Sequence, residues 1–95
     1  MELALTHTLQ ALTDPKRREI LQMLGEGDKT AGEIAARFSI SAPSVSHHLS
    51  VLKNANLVRA ERSGQMIIYS LNSTVVQEFL QEILRVLNVG EADHA

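Results

Sequence analysis

Two helix-start signals stand close together in the middle of the chain, and they confine that stretch to two short helices joined by a tight turn. The first is Thr30-Ala31-Gly32-Glu33, in which the threonine hydroxyl accepts from the third helical N–H and the glutamate reaches back to the threonine amide. The second is Ser41-Ala42-Pro43, a serine N-cap followed by a proline in the first turn, where its missing N–H is harmless. The earlier helix is predicted to carry Ile34 and Phe38 one turn apart and to be interrupted by Ser39-Ile40. The later one runs to about Ala55, with Asn54 and Asn56 available for a left-handed exit.

Other elements flank this pair. Leu5, Leu9 and Leu12 recur at helical spacing and predict a first helix of about ten residues. Asp14-Pro15 caps a second, which runs to about Leu24, buries Ile20, Leu21 and Leu24, and is stopped by Gly25 and Gly27. After Ala55 the period changes from helical to β. Leu57 to Arg62 and Gln65 to Leu71 read as strands about a Ser63-Gly64 turn, with Met66 to Tyr69 as hairpin core. Asn72 or Ser73 caps a last helix from Thr74 to about Asn88. Gly90 ends it, and Glu91 to Ala95 reads as a frayed tail. The expected order is helix, helix, a marginal strand, helix, helix, two strands, helix. That is mainly α with a small β-hairpin, in one domain over residues 1–95, and it is the winged helix-turn-helix arrangement.

The chain has 95 residues, 44% apolar and 21% charged, and no cysteine. So short a chain hides only roughly 60–65% of its unfolded surface. Disulfides and thiolate metal sites are unavailable, which leaves subunit pairing as the expected support. The opening Met-Glu-Leu-Ala-Leu-Thr-His lacks a basic region and an apolar core, so no secretory signal is expected. The longest unbroken apolar run, Met66 to Tyr69, falls far short of the ~20 residues of a membrane helix. The expectation is a cytoplasmic protein with no membrane insertion.

The fourth helix has a dry face and a readable face. At ~100° per residue Val45, Leu49 and Leu52 form one stripe, with His48 at its edge. Pro43, His47, Ser50 and Asn54 lie opposite, flanked by Ser44 and Ser46. This outer face is small, polar and uncharged, unlike the Glu/Lys surface of an ordinary solvated helix. Short side chains let a helix enter the major groove of double-stranded DNA, where hydroxyls and imidazole can meet base edges. On that reading Ser44, Ser46, His47 and Ser50 face bases from the helix that Pro43 opens. Ser41 and Lys53 hold phosphates, and Arg59, Arg62 and Gln65 serve as the wing. The net charge of −2 hides an asymmetry: residues 41–71 set Lys53, Arg59 and Arg62 against Glu61, for +2, while residues 72–95 total −3. Only three aromatics, Phe38, Tyr69 and Phe79, are present, too few for a platform that stacks single strands.

In the last helix Val75, Val76, Phe79, Leu80, Ile83, Leu84, Val86 and Leu87 cover about half the circumference. A single globule needs a stripe only a little over ~100° wide, so the surplus predicts a twin subunit. The expected interface is Leu5, Leu9, Val76, Phe79, Leu80, Ile83 and Leu87. Glu78, Glu82 and Arg85 are expected on a solvated face.

Four motifs together resemble the arsenical-resistance regulator (ArsR/SmtB) family of winged-helix repressors: Asp-Pro-Lys-Arg-Arg-Glu-Ile-Leu (14–21), Thr-Ala-Gly-Glu-Ile-Ala (30–35), Ser-Val-Ser-His-His-Leu-Ser-Val-Leu (44–52) and Gly-Gln-Met-Ile-Ile-Tyr-Ser-Leu (64–71). The likeness spans roughly residues 5 to 87, in the family's order, and is greatest to its autorepressor members. The resemblance implies a homodimeric, promoter-binding repressor whose first and last helices form the dimer interface. Two recognition helices related by a two-fold axis would sit about one DNA turn apart, roughly 34 Å, and read an inverted repeat. The chain departs from the family's metal-sensing branch. Ala31, Gly32 and Ala35 stand where that branch has a cysteine cluster, and residues 73–89 contain no histidine. No metal and no cofactor are expected, and an inducing small molecule or partner protein is left open.

Blander readings bound these. The charges from Asp14 to Arg18 suit a solvated helix start as well as a phosphate contact through Lys16. His47 and His48 are adjacent, point ~100° apart and cannot chelate one ion; His48 reads as a hydrogen-bonded structural histidine. His7 and His94 lack partners at ligand spacing. Ser44 and His48 lie one turn apart without an orienting acid, so no enzyme is expected. The rival from another class is a winged-helix adaptor or anti-activator that turns this face to a protein.

Overall fold

The computed structural model of the chain describes residues 2–88. Gly90, the tail from Glu91 to Ala95 and His94 lie outside those residues. The elements are α1 (Glu2–Ala11), α2 (Pro15–Glu26), β1 (Lys29–Thr30), α3 (Ala31–Ala36), α4 (Ala42–Asn54), β2 (Val58–Ser63), β3 (Met66–Leu71) and α5 (Ser73–Val86). The order is that of a winged helix-turn-helix, with β1 paired to β3 and completing an antiparallel sheet of order β1-β3-β2.

The caps form as the sequence dictates. The Asp14 carboxylate accepts the amides of Lys16 and Arg17 at 2.7 and 3.3 Å. Thr30 and Glu33 form the reciprocal capping box, Glu33 N–H donating to Thr30 at 3.1 Å and Thr30 N–H to Glu33 at 2.8 Å. Ser41 accepts from Ser44 N–H at 3.2 Å, and Asn72 is the cap of α5. Asn56, at φ 61°, supplies the left-handed exit after α4.

Four boundaries differ from expectation. Gly25 lies inside α2, and only Gly27 ends the helix, its N–H donating to Leu24 C=O. Burial of Met23 and Leu24 on the adjoining turn outweighs the ~1 kcal/mol that a helical glycine costs. Helix α3 ends at Ala36, so Phe38 is not a helix residue; Arg37 and Phe38 amides close tight turns onto Ile34 and Ala35. The hairpin loop is Gly64-Gln65 instead of Ser63-Gly64, because Ser63 pairs with Met66 and Gly64, at φ 63°, takes the first loop position, where a type II′ turn calls for glycine. Helix α5 stops at Val86, and the left-handed residue behind it is Asn88, at φ 58°.

The core joins α2, α3, α4 and the base of the wing through Ile20, Met23, Leu24, Ile34, Val45, Leu49, Leu52, Leu57 and Val58. From α1 it takes Ala11 and Thr8, whose hydroxyl donates to Ala4 C=O. Leu57 ties α4 to the sheet's end: its N–H donates to Leu52 C=O and its C=O accepts from Asn72 N–H. Met66 to Tyr69 is not uniformly core. Ile68 and Tyr69 are half-buried, while Met66 and Ile67 are exposed because the distal half of the hairpin projects past the helices.

Candidate nucleic-acid interface

Helix α4 is split as its periodicity requires. Val45, Leu49 and Leu52 are fully covered, and Pro43, Ser44, Ser46, His47, Ser50, Lys53 and Asn54 are all exposed. Ser41 donates its hydroxyl proton to Ser44 Oγ at 3.0 Å while capping the helix, so Ser44 keeps its own O–H for another acceptor. The small hydroxyl side chains of Ser44, Ser46 and Ser50 thus lie on one uncharged surface, with His47 among them and Lys53 at the far end.

The wing residues do not share one face of the hairpin. Cross-strand partners share a face, so Val58, Ala60, Arg62, Ile67, Tyr69 and Leu71 lie on one side of the hairpin and Arg59, Glu61, Ser63, Met66, Ile68 and Ser70 on the other. Arg62 and Gln65 are exposed near the tip. Arg59, at the base and on the opposite face, donates to Asn72 Oδ1 at 3.3 Å, the same oxygen that accepts from Val75 N–H at the start of α5. A polar notch lined by Lys53, Asn54, Arg59 and Ser70 separates α4 from the wing.

Lys16 is engaged within the chain. Its ammonium lies 4.9 Å from the Phe38 ring centroid and 3.9 Å from the Glu19 carboxylate. Asp14 is subject to opposing effects. Desolvation pushes its carboxyl up, but the amides of Lys16 and Arg17, with His48 and the Arg17 charge nearby, hold it below the ordinary carboxylate range. The Thr30 amide and hydroxyl hold Glu33 low in the same way. Sequence reasoning missed Arg17, whose side chain reaches His48 and the end of α1. Its only signal was an arginine beside a cap.

The residues expected at a subunit interface fall into two sets. Val76 packs on the core from α5, and Leu5 and Phe79 line a cavity of about 510 Å³ between α1 and α5. Ile83 is half-buried, and Leu9, Leu80 and Leu87 are exposed, as is Leu84, which completes their strip at helical spacing. Not one residue of α5 is buried. Glu82 is not on a solvated face: its side chain is only 15% exposed, because it lines the α1–α5 cavity, where it pairs with Arg85. Among the described residues no three His, Cys, Asp or Glu side chains are gathered, and no helix is long and apolar enough to cross a membrane.

Residues 14–60 match the family described as bacterial regulatory protein, arsR family. The chain is similar to the transcriptional repressor SdpR of Bacillus subtilis, 47% identical over 89 residues that cover 94% of this chain and 99% of the relative. It is similar in structure to an ArsR-like transcriptional regulator from Rhodococcus sp. RHA1, with a TM-score of 0.85, 28% identity, and coverage of 98% of this chain and 86% of that one. It is also similar to a homodimeric winged helix-turn-helix DNA-binding domain from Mycobacterium bovis, with a TM-score of 0.73, 25% identity, and coverage of 97% and 84%.

Proposed function

On the premise that this chain belongs to the arsR family of bacterial regulatory proteins, we propose that it is a homodimeric repressor that sets two copies of α4 into an inverted-repeat operator. Its relatives are transcriptional regulators, and it is a regulator, not an enzyme. The observation that carries the reading is the division of α4, whose apolar stripe is wholly covered while its small, uncharged outer face stands free. Ser44, Ser46, His47 and Ser50 meet base edges, and the capped helix start and Lys53 meet phosphates. Arg62 and Gln65 reach the neighbouring backbone or minor groove from the wing tip.

Pairing is supported by the exposed leucine strip of α5. The radius of gyration, 15.0 Å against roughly 12 Å for a compact chain of this length, also suits one half of a larger body. A two-fold axis through α1 and α5 would set the α4 helices about 34 Å apart, one DNA turn. Such a molecule acts where the chromosome is, in the cytoplasm.

The test is fluorescence anisotropy with duplex DNA from upstream of the gene. Binding should weaken steeply with salt, since phosphate contacts release counterions. The double variant Ser44→Ala, His47→Ala should lose at least about tenfold in affinity at unchanged stability. Unchanged affinity removes the assignment of α4. Salt-independent capture of a protein in place of DNA would favour an adaptor.

A further inference from the structure

The guanidinium of Arg17 engages three groups on two helices other than its own. Nε donates to Ala11 C=O at 2.6 Å and Nη2 to Gln10 C=O at 3.2 Å, both at the end of α1. Nη1 lies 3.4 Å from Nδ1 of His48, on α4. Arginine has no acceptor, so this contact is a hydrogen bond in the tautomer that leaves the lone pair on Nδ1. The remaining end of the arginine is fixed too, for its backbone N–H donates to the Asp14 carboxylate that caps α2.

Carbonyls at a helix C-terminus have no helical partners, and cations there are favoured. Arg18 adds a bond to Leu12 C=O at 2.6 Å. Two arginines of α2 therefore secure the end of α1, but only Arg17 extends onward to α4. The group is planar and rigid, so α1 cannot shift against α4 without breaking at least one of its bonds. His48 is next to His47, their ring centroids 5.9 Å apart, and His47 stands on the exposed face.

We propose that Arg17 is the positioning residue through which the end of α1 sets the placement of α4 on DNA, acting through the imidazole of His48. This rests on the reading of α1 as a dimer helix and α4 as the DNA helix. It assigns a specific polar strut between the part of the molecule that pairs and the part that reads.

The experiment measures operator affinity by anisotropy for the full chain and for Arg17→Lys, His48→Leu, His48→Asn and the double variant Arg17→Lys, His48→Leu. Sedimentation mass and thermal midpoint are recorded for each. Lysine keeps the charge but has one nitrogen and cannot span α1 and His48 together. Asparagine presents Oδ1 where histidine has Nδ1. Arg17→Lys and His48→Leu should each weaken binding by about fivefold or more, the double variant by no more than the worse single, and His48→Asn by less than about twofold, all at dimer mass. Additive losses, wild-type affinity in His48→Leu, or equal losses in His48→Leu and His48→Asn would overturn the inference while leaving the repressor reading intact. Should Arg17→Lys fail to fold, the two His48 variants decide the matter alone. Failure of the wild-type chain to retain operator DNA would overturn the repressor reading, and the strut with it.

Discussion

Helices α4 and α5 have nearly the same length, 13 and 14 residues, and opposite relations to the core. In α4 the apolar stripe is finished inside the chain: Val45 and Leu49 are 1% exposed and Leu52 is completely covered. In α5 the apolar residues span half the helix and none is buried, with Leu80, Leu84 and the C-cap Leu87 left 49–64% exposed. The contrast teaches that amphipathicity alone does not say what covers a face. Helix α4 can offer its polar side to a ligand because its dry side is already satisfied, whereas the dry side of α5 demands another surface.

The sharpest way to break this comparison is to damage each stripe in turn. Leu49→Ala should cost about 2–5 kcal/mol of folding stability, read as a lowered denaturation midpoint, because it empties a closed core site. Leu84→Glu should leave the helical circular dichroism intact and instead raise the dimer dissociation constant by about a hundredfold or more. Each leucine counts twice across a two-fold axis, at about 1.5–3 kcal/mol apiece. Equal effects of the two substitutions on monomer stability would erase the distinction.

Much of this was legible because it is local. The caps at Asp14, Thr30 and Ser41 each need only a side chain and an amide two or three residues on, and the stripe of α4 follows from the helical repeat. The one-residue shift of the hairpin loop was not, since Ser63 and Gly64 both suit turns and only the pairing of Ser63 with Met66 decides between them. Periodicity also gives the faces of a strand without its reach, so the exposure of Met66 and Ile67 depended on where the helices end. The Arg17–His48 contact spans 31 positions and the Arg59–Asn72 contact 13, and no spacing rule announces either. Glu82 was placed on the wrong side because a helical wheel assigns no neighbour, and the neighbour here is α1.

Smaller effects sharpen the account of the reading half. Thr30→Ala should cost about 1 kcal/mol by removing the cap of α3, measured by denaturant unfolding. Asp14 and Glu33 have folded pKa values below their ordinary ones, so their contribution to stability is complete above the carboxylate range, about pH 4, and is lost as pH falls through the lowered values. Thermal midpoints should therefore drop in acid, and Glu33→Gln should reduce that drop. An acid dependence identical to wild type would show that the capping box contributes nothing to it.

The most direct measurement is the sedimentation-equilibrium mass of the wild-type chain in the same buffer in which it binds operator DNA. A mass of twice the 10.5 kDa of one chain, reverting to one chain in Leu84→Glu, is the result expected of an α5 strip completed by a twin. A single-chain mass at concentrations where the operator is fully bound would contradict it.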